Sequence, residues 1–183
     1  MIIRCWGSRG SIAVSGRQYL KYGGDTTCIE VESNSGEIIV IDAGTGIRAL
    51  GKELIKSGAL DISLLLTHAH WDHLSGFPFF DPIYRKDSTI RVYGPQTTQN
   101  SLKRILSKTM TAPFFPVELD DISAKISFLG TGNSTSYSIG GVNISTIPIS
   151  HPNTGAGYKF AEDGNLDAPT MLEGSLQRPT AVG

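Results

Sequence analysis

Three of the chain's four histidines fall within six residues, His68-Ala69-His70-Trp71-Asp72-His73. At strand spacing His68 and His70 project to the same side, and Asp72 and His73 follow as the chain turns, so four ligand-type side chains can converge on one small volume. Imidazole and carboxylate donors together suit zinc, iron or manganese. The alternative is a surface cluster of histidines at a strand end. The run just before them, Ile62-Ser63-Leu64-Leu65-Leu66, argues against it, because it reads as a strand buried on both faces. The fourth histidine, His151, stands in Ile149-Ser150-His151-Pro152-Asn153. A lone histidine before a proline is commonly an ordinary loop residue. Here a metal held by His68 and His70 needs a third protein ligand, and His151 is the remaining histidine.

The elements that must position these residues can be read from periodicity. Short apolar or alternating runs at residues 2–6, 28–32, 37–41, 62–67, 89–93, 125–129, 142–147 and 157–160 predict strands. Residues 46–57 place Ile47, Leu50, Leu54 and Ile55 on one helical face, and residues 96–110 do the same with Leu102, Ile105 and Leu106. Strand-rich α/β or α+β layering follows, without an internal repeat. Residues 165–183 sustain neither a period of 2 nor one of 3.6 and are interrupted by prolines and glycines. They predict a frayed or loosely docked tail after a domain spanning residues 1–164.

Composition narrows the function classes. A chain of 183 residues with 39% apolar and 18% charged residues is an ordered domain able to bury a core unaided. A formal net charge of -1 by itself predicts neither a nucleic-acid nor a membrane partner. The start, Met1-Ile2-Ile3-Arg4-Cys5-Trp6, shows no basic leader, and no run approaches the roughly 18 apolar residues of a membrane span. The cytoplasm is therefore the expected compartment, and Cys5 and Cys28 are expected to be buried reduced thiols.

The His-x-His-x-Asp-His run, with Asp42-Ala43-Gly44-Thr45-Gly46 upstream, resembles the metallo-β-lactamase superfamily. The likeness is greatest to its bacterial ribonuclease Z-like and phosphodiesterase-like members. It is carried also by Trp6-Gly7-Ser8-Arg9-Gly10-Ser11, by Tyr22-Gly23-Gly24-Asp25-Thr26-Thr27-Cys28, and by Leu74-Ser75-Gly76-Phe77-Pro78-Phe79-Phe80 after the histidines. The resemblance implies an α+β fold, the αβ/βα four-layer sandwich. It implies His68, His70 and His151 as ligands of a first metal, with Asp72 and His73 on a second. Zinc is the implied ion, with manganese or iron as alternatives. A hydroxide held between two ions would be the nucleophile on a phosphodiester, and Asp72 would act catalytically by orienting it or taking up its proton. The substrate so implied is a small phosphodiester or a nucleic acid.

Around this frame, Asp42 reads better as support for the ligand loop than as a catalytic carboxylate. Glycines 7, 10, 23 and 24 suggest backbone N–H groups near a phosphate without forming a P-loop pattern. The stretch Met110-Thr111-Ala112-Pro113-Phe114-Phe115-Pro116 suits either a covering loop or ordinary packing. Arg4, Arg9, Arg17 and Lys21 either line one rim or are scattered solvated charges. The superfamily pattern also has a metal-bridging aspartate and a last histidine after His151, and no histidine follows His151. The sequence therefore reads as a C-terminally truncated relative with the second half of the sandwich incomplete. Exposed apolar sheet faces, and with them homo-oligomerisation, are expected. Two further functions compete with phosphodiester hydrolysis. One is a non-catalytic metal-binding remnant; the other is thioester or lactam hydrolysis, or iron-based redox work, on the same scaffold.

Overall fold

The alternation of apolar residues along the central strands sorts them onto two faces, and each face has its own cover. In the computed structural model, which describes residues 1–94, 99–131, 135–151, 155–162 and 170–172, β1 (Ile2–Gly7), β2 (Cys28–Glu32), β3 (Ile38–Ile41), β4 (Asp61–Leu65), β5 (Thr89–Gly94) and β6 (Lys125–Gly130) form one sheet in that order. The first three strands are antiparallel and β3 to β6 run parallel. Ile38, Val40, Ile62, Leu64, Ile90 and Val92 pack with Ile47, Leu50 and Leu54 of α1 (Ile47–Ser57) and Leu102 and Leu106 of α2 (Gln99–Thr109). Their neighbours Ile39, Ile41 and Leu65 pack the opposite way, against Ile144, Ala156, Tyr158 and Phe160.

Those last residues belong to a second sheet of β7 (Ser136–Ile139), β8 (Val142–Ile149), β9 (Gly155–Glu162) and β10 (Thr170–Leu172), ordered β10-β9-β8-β7 and antiparallel throughout. Helices, sheet and sheet give three layers of an α+β sandwich among the described residues. Burying one large aliphatic side chain contributes roughly 1.5–3 kcal/mol, so the fully buried Ile39, Ile41, Ile62, Leu64 and Leu65 make β3 and β4 the firmest part of the frame. α1 stops at Gly58, whose φ of 78° is left-handed and whose N–H donates to the carbonyls of Ile55 and Leu54.

Several sequence expectations change. β7 was absent from the predicted strands; it pairs Ile139 with Val142 across a Gly140-Gly141 turn, with Gly140 at φ 55°. Three residues of the 165–183 segment, Thr170–Leu172, form an edge strand on β9; the rest of that segment lies outside the described residues. Cys28 is buried, but Cys5 is exposed, because β1 is an edge strand and Cys5 lies on its open side. The outer face of the second sheet carries the polar residues Ser136, Ser138, Asn143, Ser145 and Lys159. Among the described residues no helix is long and apolar enough to cross a membrane.

Candidate metal centre

The ligand segment begins where β4 ends. Leu66 N–H still donates to Tyr93 O at 2.9 Å, but Thr67 N–H turns to Asp42 Oδ1 at 2.8 Å, which frees the chain from the sheet. His68 to His70 then run irregularly, with His70 extended, and Trp71–His73 close into a single turn. The strand thus ends two residues earlier than the sequence suggests, and the histidines occupy its outgoing loop.

Of His68, His70 and His151, His68 lies deepest, only 6% exposed. Its ring centroid is 4.5 Å from that of His70, 4.6 Å from His151 and 4.1 Å from His73. One ring nitrogen each of His68, His70 and His151 lies within 4.8 Å of the other two, and His151 Nε2 is 3.0 Å from His70 Nδ1. His151 follows β8, so it reaches this cluster from the second sheet. The two sheets are tied immediately beneath it: Ala156 N–H donates to Thr67 O at 3.0 Å and Tyr158 O–H to Leu66 O at 2.8 Å.

Hydrogen bonds behind the rings fix which nitrogens face the cluster. Thr67 Oγ1 donates to Asp42 Oδ2 at 2.8 Å, so its contact of 2.9 Å with His68 Nδ1 has the ring as donor, leaving His68 Nε2 unprotonated. Burial, and then the neighbouring His73, His70 and His151, pull the His68 pKa down to about 3. It is a neutral imidazole with a lone pair. His73 Nδ1 donates to Asp42 Oδ2 at 2.6 Å. Burial lowers the His73 pKa, but the hydrogen bond and charge of Asp42, aided by Asp72, outweigh it and hold the pKa above the ordinary value. Asp42 itself is wholly buried at φ 61°, a left-handed conformation that aspartate tolerates better than most residues.

Asp72 and His73 stand together beside the three-histidine cluster, with Asp72 Oδ2 3.6 Å from His73 Nε2. Asp72 Oδ2 also accepts the N–H of Ser11 at 2.7 Å. Sequence reasoning missed Ser11 and Thr67: a backbone donor and a bridging hydroxyl leave no signature in residue type. The connection from β1 to β2 is stapled against the Asp42 turn by reciprocal bonds, Thr26 N–H to Thr45 Oγ1 at 2.9 Å and Thr45 N–H to Thr26 Oγ1 at 2.8 Å. The amides of Arg9, Ser11, Ile12, Val14 and Gly23 are bonded within the protein, which holds this glycine-rich connection in place. In the 110–116 stretch Phe115 packs edge-on to Phe79 at 5.6 Å while Phe114 is exposed.

Gly44 is where these loops come closest. A Cβ there would sit 2.4 Å from Asp72 O and 2.5 Å from Thr26 Oγ1. Gly44→Ala is expected to destabilise the protein by about 1–3 kcal/mol, the usual cost of overpacking. A shifted midpoint in urea denaturation at unchanged slope would show it.

The donors fit a metal of intermediate softness: three imidazoles converging, with a carboxylate and a fourth imidazole adjacent. Comparison with known proteins agrees with this geometry. Residues 37–165 match the family model of the beta-lactamase superfamily domain. The ribonuclease Z of Haloarcula marismortui is 26% identical over 137 residues, covering 72% of this chain and 40% of its own length. The chain thus spans less than half of that relative. Among solved structures, the metallo-beta-lactamase fold protein YhfI of Bacillus subtilis superposes with a TM-score of 0.62 at 14% identity, over 88% of this chain and 58% of that one. A diphosphatase from the PhnP family gives 0.58 at 16% identity, over 86% and 61%. With a family match across most of its length, a sandwich of the same fold and the histidine cluster at the sheet ends, the chain belongs to the beta-lactamase superfamily.

Proposed function

We propose that the chain carries the active-site half of a metal-dependent hydrolase of phosphodiester bonds. The observation that carries this reading is the convergence of His68, His70 and His151 from two sheets, with Asp72 and His73 alongside. His68, His70 and His151 would hold one metal ion, zinc in the first instance and manganese or iron as alternatives; Asp72 and His73 would contribute to a second. When bound, such ions lower the pKa of water toward neutrality and stabilise charge on attacking and leaving oxygens. The chain's own residues do the rest. Thr67 and Asp42 fix the tautomers of His68 and His73, so each presents Nε2. Asp72, anchored by Ser11 N–H, is placed to orient a water and hold its proton. The name of one relative, a ribonuclease, supports the bond type. We assign this role to residues 1–164.

A second reading is favoured by one observation. Among the described residues the Asp72–His73 pair supplies only two donors, and two protein ligands hold a metal weakly. On that reading the chain binds one ion and does not turn over. Elemental mass spectrometry on monodisperse protein, paired with hydrolysis of bis(p-nitrophenyl) phosphate, separates the two. About two ions per chain with metal-dependent turnover is the expected result. One ion without turnover would establish the metal-binding reading instead, and turnover of a thioester or lactam alone would move the assignment to that chemistry.

A further inference from the structure

Ser63 stands where the frame calls for an apolar residue. In the register of the first sheet it lies between Ile39 of β3 and Arg91 of β5, on the face that packs toward the second sheet. It is only 3% exposed, yet its hydroxyl has no hydrogen-bond partner among the described residues. A buried hydroxyl left without a partner costs free energy that an alanine in its place would not.

The hydroxyl borders open space. Ser63 lines a pocket of about 450 Å³, of the size that takes a small molecule, framed by the β2–β3 turn, the inner faces of β4 and β5, and the β7–β8 turn. The histidines follow the end of β4, whereas Asp61 and Ser63 lie at its start, so the pocket shares no residue with the candidate metal centre. Within it the Arg91 guanidinium and Asp61 carboxylate form a two-pronged pair, with Nη2 to Oδ2 at 3.2 Å. At the mouth, Glu37 Oε2 accepts the hydroxyls of Ser33 and Ser35. Gly140 leaves the room that Glu37 Oε1 occupies, since a Cβ there would lie 2.1 Å away. Tyr93 forms a wall, its ring stacked on Tyr137 with centroids 5.5 Å apart.

These groups select by charge. An anion finds the pocket's one cation, Arg91, already matched by Asp61. An amine finds only Glu37, at the rim and turned onto its own serines. What is left open is a hydroxyl that can both donate and accept, spare lone pairs on carboxylates held in place, and a flat aromatic wall. We propose that this pocket is a second ligand site, for a small neutral ring bearing several hydroxyls, of the sugar class. Ser63 and the Asp61–Arg91 pair hydrogen-bond the ring's hydroxyls, and Tyr93 backs its apolar face. The proposal stands apart from the hydrolase reading.

The test is a titration of the full chain with methyl β-D-glucopyranoside at millimolar concentrations, followed by amide NMR. Saturable shifts at Ser63, Arg91 and Gly140 are expected. Ser63→Ala is expected to weaken binding about fivefold, as for the loss of one neutral hydrogen bond, and Asp61→Ala by about tenfold or more, because its bond is charge-assisted. Ser145→Ala, on the outer face of the second sheet, should bind as the parent does. Urea denaturation checks the fold: the midpoint of Ser63→Ala should not fall, because the hydroxyl it removes has no partner. Glucosamine and glucuronate, the cationic and anionic forms of a similar ring, should bind more weakly than the neutral glycoside. Absence of saturable shifts in the parent, equal affinity in the parent and Ser63→Ala, or preference for either charged ring would each overturn the proposal.

Discussion

His68→Ala is expected to release the bound metal from the three-histidine cluster and to reduce phosphodiester hydrolysis by about a thousandfold or more. His68 is the deepest of the three cluster histidines and touches both groups, its ring meeting those of His70, His151 and His73. Its removal leaves two imidazoles in a cluster that needs three. A metal acting as Lewis acid supplies several kcal/mol of charge stabilisation, and each 1.36 kcal/mol is a factor of ten in rate. The fold should survive, because alanine at this loop position removes a polar ring and not a core side chain. Elemental analysis of the variant alongside circular dichroism decides the matter. A variant that keeps the parent's metal content would show that His68 is no ligand.

The second large effect is expected at Asp42, which never needs to touch a metal. Its carboxylate accepts Thr67 N–H, Thr67 O–H and His73 Nδ1–H, and it is fully buried. Asp42→Asn keeps the size and suits the left-handed backbone, but turns one acceptor into a donor facing donors. Metal affinity should fall by about 10–100-fold, the range found when a group behind a ligand is removed. Asp42→Ala should in addition cost about 3–5 kcal/mol of stability, because a buried partner is left unpaired. Chelator competition measures the first effect and urea denaturation the second. If Asp42→Asn bound metal as the parent does, the orienting role would fall, and the bonds to Thr67 would be purely structural.

The candidate histidine cluster was largely visible in the amino-acid sequence, and for a physical reason. Ligand chemistry is carried by residue type, and histidines crowded behind a doubly buried strand have few other uses, so His68, His70 and His73 stood out. The frame was legible where patterning is strong. Ile38–Ile41 and Asp61–Leu65 show nearly continuous burial, and α1 shows its apolar stripe. What stayed hidden depends on backbone geometry. β7 is a four-residue strand, Ser-Tyr-Ser-Ile, whose polar positions face outward; only its alternation and the Gly-Gly turn mark it. The bond from Ser11 to Asp72 needs a left-handed serine, and nothing in Arg9-Gly10-Ser11 predicts that an amide will aim 61 residues ahead. The pairing of Arg4 likewise waits on knowing that Glu30 and Glu32 lie on the neighbouring strand.

The origin of His151 in the second sheet has a thermodynamic consequence. An ion held by His68, His70 and His151 would be a crosslink between two layers that also meet through apolar contacts, the bonds of Ala156 and Tyr158, and those of Glu162 to Asn34 N–H and the Met1 ammonium. An ion that binds the docked sheets and not the separated ones adds RT ln(1 + [L]/Kd) to their association, about 2.7 kcal/mol at a hundredfold excess over Kd. That is a sizeable fraction of the total stability of an ordinary domain. By the same linkage, anything that loosens the second sheet, even far from the histidines, weakens metal affinity by an equal free energy. Such an ion would be as much a clasp for the sandwich as a reagent within it.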